Sequence, residues 1–215
     1  MSKIIPGILT DNEQDYRRKL KVAEHSTDLI QIDVIDGLFS KNKTVGVDVI
    51  RNNPSSAQLE IQLMVVSPLN YIDKLVDLNF VSRIIFPLEI EMDIFDLIYR
   101  VKRGKKYVGI SLNKETDVSK VLPFAEDLNL LLLLTGKPGY SGQKLGENTY
   151  ERIKQAKKLI PSLGLEIDIG VNFENATKLA SSGVDFLVAS SSLFEARDFH
   201  IAYRRLAALA KVQDN

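Results

Sequence analysis

Short apolar runs recur about every 25 residues along this chain, each followed by a polar stretch in which apolar residues return at helical spacing. The runs centre on Ile4 to Leu9, Leu29 to Val34, Leu59 to Val65, Val81 to Phe86, Tyr107 to Leu112, Leu128 to Leu134, Leu165 to Asp168 and Phe186 to Ala189. Helices are expected to follow near residues 12–25, 45–52, 68–78, 91–102, 117–125, 147–160, 173–181 and 197–211. Strand and helix in alternation are the signature of parallel βα units, and eight such units are present. No linker, low-complexity tract or change of composition divides them. Residues 1–215 are therefore expected to form one α/β domain, a single (β/α)8 TIM barrel, somewhat shorter than the typical ~250 residues. A doubly wound open sheet is the weaker alternative.

Chemistry in such barrels sits at the C-terminal ends of the strands. Two strand-like runs end on carboxylates, L-I-Q-I-D-V-I-D-G at 29–37 and L-E-I-D-I-G-V-N at 165–172, which singles out Asp33 and Asp168. Strand side chains alternate between faces, so Gln31 shares a face with Asp33, Gln62 with Met64, and Glu166 with Asp168. Ile30, Ile32 and Val34 then face the surrounding helices. Two amides and two carboxylates thus meet on the barrel's inner face near its upper rim. Asp also opens turns and caps helices, and that plainer role stands beside the catalytic one.

Composition narrows the partners. Lys plus Arg and Asp plus Glu are 28 each, so the net charge is zero and nothing favours nucleic acid or a membrane surface. A charged ligand must be held by a local site. The absence of cysteine excludes disulfides, thiolate metal sites and cysteine nucleophiles. The N-terminal apolar stretch is too short for a signal peptide, and Leu130 to Leu134 falls far below a membrane span of roughly 18 residues. A cytoplasmic protein is the simplest expectation.

An anion has a natural place in G-V-N (170–172) and V-A-S-S-S-L-F (188–194), after strands seven and eight. There, backbone N–H groups and a short helix's N-terminus favour phosphate, although glycine and serine also open turns that bind nothing. The glycine-rich T-G-K-P-G-Y-S-G-Q-K (135–144) suits a lid after strand six, or a plain surface turn. His25 and His200 lie away from strand C-termini and are expected at the surface or in packing. The basic run at 100–106 is expected to be a solvated helix end.

These motifs together resemble the ribulose-phosphate 3-epimerase family, metal-dependent barrels of the ribulose-phosphate-binding type. The similarity runs from about Ile4 to Ala207 and rests on D-V-I-D-G-L-F (33–39), L-M-V-V-S-P (63–68), K-P-G-Y-S-G-Q-K (137–144), the D-I-G-V-N run from Asp168, and A-S-S-S-L-F (189–194). It implies that Asp33 and Asp168 bind a divalent metal (Mg, Mn, Zn or Fe) and act as paired acid and base on a small sugar phosphate. The substrate and its phosphate would be held by Gly7, Met64, Gly139, Ser141, Gly142, Gly170, Ser190 and Ser191. A homo-oligomer is implied as well.

The departures from that family fall where the chemistry is. Its two metal-ligating histidines match Gln31 and Gln62, and a neutral amide oxygen is a much weaker ligand for zinc or iron than imidazole. These amides would hold Mg²⁺ or Mn²⁺ through oxygen, or donate hydrogen bonds to an oxyanion. A usual serine matches Gly7 and a usual histidine Pro87. Ile35 and Leu134 replace cavity methionines, and Ile169 and Ser190 stand where glycines are usual. The D-x-K-x-x-D motif of related decarboxylases and synthases is absent from strand three, E-I-Q-L-M. An epimerase acting on D-ribulose 5-phosphate, D-xylulose 5-phosphate or a close relative is the first expectation. A non-catalytic sugar-phosphate-binding barrel without its metal site is the alternative.

Overall fold

The structure, a computed structural model, describes residues 1–211; the last four residues of the expected 1–215 domain lie outside the described residues. Eight parallel strands close into a barrel in sequence order: β1 (Lys3–Ile8), β2 (Leu29–Ile35), β3 (Gln58–Met64), β4 (Val81–Pro87), β5 (Tyr107–Leu112), β6 (Leu130–Leu134), β7 (Gly164–Asp168) and β8 (Phe186–Ala189). Pairing of β1 with β8 completes the ring, so the open sheet is excluded. Outside lie α1 (Glu13–Glu24), α2 (Val47–Asn52), α3 (Leu69–Leu75), α4 (Ile94–Arg103), α5 (Thr149–Leu159), α6 (Ala176–Ser181), α7 (Ser191–Phe194) and α8 (Phe199–Leu209).

Two expectations need correction. The helix expected at 117–125 is a 3-10 helix, Val118–Asp127, entered through Asp117, whose side chain accepts from Ser119 N, and containing Pro123. Proline has no N–H to give to an α-helical ladder. Because that helix runs on to Leu128, whose N–H bonds Ala125 O, β6 begins at Leu130 rather than Leu128. After β8 the short helix α7 follows the serine run, where a short helix's N-terminus was expected, and α8 matches the helix expected at 197–211.

Alternation along the strands divides the packing into two layers. Outward residues such as Ile30, Ile32, Ile61, Ile84 and Ile167 merge with helix residues such as Tyr16, Ile72, Leu97 and Leu206 into the main core. Inside the barrel lie two small apolar groups, Ile85 with Leu130, Leu132 and Leu134, and Ile5 with Leu29 and Val188; Phe186 packs against both.

Charge also enters the barrel interior. Gln31, Asp33, Glu60, Gln62, Glu166 and Asp168 are all buried, supplied by β2, β3 and β7. Strand register sets Gln31 beside Glu60, Asp33 beside Gln62, and Glu60 beside Arg83 of β4. Arg83 Nη1 donates to Glu60 Oε2 at 2.6 Å and lies 3.6 Å from Glu166 Oε2, while its guanidinium covers the Phe186 ring at 5.0 Å. Burial raises the pKa of Glu60, against the opposing pull of Arg83. Glu166 is raised well above its ordinary value, first by burial and then by the Glu60 charge.

Replacing Arg83 by Leu strands the buried carboxylates and is expected to cost about 3–5 kcal/mol at pH 8. Both glutamates bind protons more tightly folded than unfolded, so their penalty is absent below the unfolded pKa and grows as pH rises. The loss should therefore shrink at pH 5. Urea denaturation of both proteins at the two pH values checks this, and an equal loss at each would refute it.

Candidate active site

β2 and β7 deliver their carboxylates to the rim from which the loops spring. Thr44 clamps the end of β2, its hydroxyl donating to Asp33 O at 2.6 Å and accepting from Ile35 N at 2.9 Å. Asp168 closes β7, and its Oδ1 accepts from Ile169 N at 2.7 Å. Gln31 Nε2 donates to Asp33 Oδ1 at 2.9 Å. One end of the Gln62 amide lies 3.0 Å from Asp33 Oδ1 and 3.1 Å from Asp168 Oδ2, bridging the two acids.

Which end of that amide faces the acids follows from the protons they carry. Facing ionised carboxylates, the amide presents its NH₂ group and donates to both. Facing a protonated acid, it presents the carbonyl, which accepts from that acid and from Gln31 Nε2 at 3.0 Å. Only the first arrangement ties both aspartates to one group; with the carbonyl presented, an acid that stays ionised shares no hydrogen with it.

Burial raises the pKa of Asp33 well above the carboxylate range and the Asp168 charge raises it further, while the Gln31 N–H opposes them. Burial also pushes Asp168 up to about 6, against hydrogen bonds from Ile169 and Gln31. Two acids this close resist ionising together and titrate as a pair. Such a pair has one carboxylate to take a proton and one carboxylic acid to give one.

The acids open into a cleft lined by Leu9, Asp33, Met64, Gly139, Tyr140, Ser141, Gly142, Asp168, Ile169, Gly170, Val171, Val188, Ser190 and Ser191. Gly170 has φ +81°, and a Cβ there would meet Leu145 N at 2.5 Å, so glycine is required. Its neighbour Ile169 holds φ +77°, a strained conformation for a β-branched residue, with its carbonyl accepting from Thr135 Oγ1 at 2.6 Å. The 135–144 loop covers the cleft and is tied across it: Ser40 Oγ donates to Pro138 O at 2.9 Å and Asn42 Nδ2 to Gly139 O at 2.7 Å. Gln143 staples the loop internally, donating to Lys137 O and Tyr140 O.

Several expected residues fall elsewhere. Gly7 does not line the cleft; a Cβ at this position would come 2.7 Å from Val188 Cγ1, so Val188 fills the room a serine would need. Ile35 and Leu134 are buried behind the lining, which retains Met64 alone of the three. Gln31 and Gln62 are also fully buried and are not among the residues lining the cleft. His25 bonds Lys21 O and His200 bonds Ser26 Oγ, both away from the acids. The basic run lies in ion pairs of Arg100 with Asp73 and Asp96 and of Lys102 with Asp127. Leu9, Tyr140, Val171 and Val188 are lining residues that motif reading did not single out.

The donor set does not fit zinc or iron, two of the divalent metals implied by the resemblance. Zinc and iron favour imidazole, and Gln31 and Gln62 provide amides. Among the described residues no three His, Cys, Asp or Glu side chains are grouped to hold an ion. The Gln62 amide itself lies between Asp33 Oδ1 and Asp168 Oδ2 at hydrogen-bond distance, the place a bridging cation would need.

A closed (β/α)8 barrel with a buried acid pair beneath a covered, glycine- and serine-lined cleft belongs to the class of barrels that carry their polar site at the C-terminal rim. The ribulose-phosphate 3 epimerase family model matches residues 3–194, and the chain belongs to this family. It is 31% identical to the ribulose-phosphate 3-epimerase, cytoplasmic isoform, of Oryza sativa subsp. japonica, over 92% of this chain and 89% of the relative. Identity to the ribulose-phosphate 3-epimerase of Chlamydia trachomatis serovar D is 32%, over 83% and 80% of the two chains. In fold it is similar to 3-hexulose-6-phosphate synthase from Salmonella typhimurium, with a TM-score of 0.74 at 14% identity, covering 97% of this chain and 98% of that one. No helix among the described residues is long and apolar enough to cross a membrane.

Because Asp168 is raised from 3.8 to about 6 in the folded protein, it opposes folding progressively as pH climbs through that interval, and fully above it. Asp168→Asn is therefore expected to raise the melting temperature by roughly 5 °C at pH 8 and by little at pH 4.5. Thermal unfolding at the two pH values tests the sign, and a variant less stable at pH 8 would overturn it.

Proposed function

We propose that the cleft binds a phosphorylated ketose, D-ribulose 5-phosphate, D-xylulose 5-phosphate or a close relative, and inverts it at C3 by proton transfer between Asp33 and Asp168. One carboxylate takes the C3 proton, and the C–H electrons move into an enediolate spanning C2 and C3. The other acid returns a proton to the opposite face, restoring the ketone with the inverted carbon. The phosphate would rest on Gly142, Gly170, Ser190 and Ser191, with Met64 against the carbon chain and Gly139 and Ser141 in the covering loop. The observation that carries this reading is the pair of buried carboxyls, Asp33 and Asp168, that line the same cleft. The rice relative's name, a cytoplasmic isoform, supports a cytoplasmic setting for it, and a homo-oligomer is part of the same proposal.

A barrel that binds the same sugar phosphate without converting it is favoured by one observation, the amides where imidazoles are usual. The two readings separate in heavy water. Deuterium should enter C3 of ribulose 5-phosphate as xylulose 5-phosphate forms, and Asp168→Asn should slow this by about 10³-fold or more while the fold stays intact. Binding without deuterium uptake would favour the non-catalytic barrel, and full activity in Asp168→Asn would remove that residue from the mechanism.

A further inference from the structure

We infer that Gln31 and Gln62 take the place of a metal, as positioning residues that hold the acid pair by amide hydrogen bonds, so that proton transfer at C3 proceeds without a divalent cation. The inference rests on the epimerase reading above. Its ground is geometric. Gln31 Nε2 reaches Asp33 at 2.9 Å, and one end of the Gln62 amide reaches Asp33 at 3.0 Å and Asp168 at 3.1 Å. The two strands set Asp33 directly beside Gln62, so the bridge is built into the sheet register rather than into a mobile loop.

A metal between two carboxylates does three things: it neutralises their repulsion, fixes their spacing and polarises the substrate oxygens. The amide bridge supplies the first two. With its NH₂ group toward the acids, one hydrogen goes to an oxygen of each, and the same nitrogen then lies 3.0 Å from Gln31 Nε2; turned end for end, the carbonyl accepts from Gln31 Nε2 and from a protonated acid. The third is not assigned to the bridge, since both glutamines are fully buried and neither is among the residues lining the cleft.

The neighbourhood is consistent with this substitution. Val188 Cγ1 occupies the space above Gly7, and the Gln31 amide nitrogen lies 4.0 Å from where a Gly7 Cβ would be. The β1 side of the pair is thereby closed by carbon atoms, with no ligand atom offered. On the β4 side the residue after Phe86 is Pro87, which contributes none either.

The test uses the whole protein and ribulose 5-phosphate. Deuterium uptake at C3 is followed by NMR after exhaustive dialysis against a chelator, and again with added Zn²⁺, Fe²⁺, Mn²⁺ or Mg²⁺. The expected rate is the same, within about twofold, in every case. In Gln62→Met, which keeps the side-chain volume and removes the amide, kcat is expected to fall by about tenfold or more with KM within about twofold. Chelator-sensitive uptake restored by a divalent ion would overturn the inference and leave the epimerase reading standing. Unchanged kcat in Gln62→Met would overturn it as well. No uptake under any condition would overturn the epimerase reading and this inference with it.

Discussion

The structure turns on the burial of four carboxyl groups inside one barrel. Asp33, Glu60, Glu166 and Asp168 lie in a space that barrels of this size ordinarily fill with branched aliphatics. A lone ionised carboxylate in such surroundings is untenable, so each acid must be paired, hydrogen-bonded or protonated. The chain meets this demand in vertical order. Arg83 pairs with the lower acids, burial and the Glu60 charge raise the Glu166 carboxyl well above its ordinary value, and the amides of Gln31 and Gln62 bond the upper pair.

That order separates stability from chemistry. The lower acids are fully buried, with Phe186 and the apolar groups packed inside the barrel beside them. The upper acids meet the cleft, and there the surrounding backbone departs from regular geometry. Ile169 and Gly170, two successive residues at positive φ, turn the chain away from β7 as soon as Asp168 has been placed. The strain at Ile169 is held by the Thr135 hydroxyl and by its own N–H bond to Asp168, so the covering loop's root and the acid are fixed by one short segment.

The barrel was legible because its cause is periodic. Eight buried runs separated by amphipathic stretches leave few topologies, and alternation along β2, β3 and β7 placed Gln31, Asp33, Gln62, Glu166 and Asp168 on the inner face without any structure. Glu60 and Arg83 were equally accessible by the same rule, each two residues before an inward neighbour on its strand, but their pairing depends on the register between β3 and β4, which no single strand encodes. The 3-10 helix at Val118–Asp127 escaped because its local pattern is apolar enough for an α-helix, and Pro123 decides otherwise. Gly7 was misplaced for a different reason. A motif match says which residue stands where a serine is usual, but the space it opens has been filled by Val188 from a strand far away in sequence.

Val188, Gln31 and Gln62 are best understood as parts of one substitution. An imidazole pair without a metal would sit beside two carboxylates as potential cations, binding protons the acids need to exchange. Amides cannot: they neither gain nor lose charge, and they offer a donor to an ionised acid and an acceptor to a protonated one. Neutral groups of that kind leave the proton on the carboxyl pair, where the cleft can reach it, and a valine over Gly7 keeps water from the buried side. The same replacements that make the site a poor home for zinc or iron make it a coherent place for two carboxyls to trade a proton with a bound carbon acid.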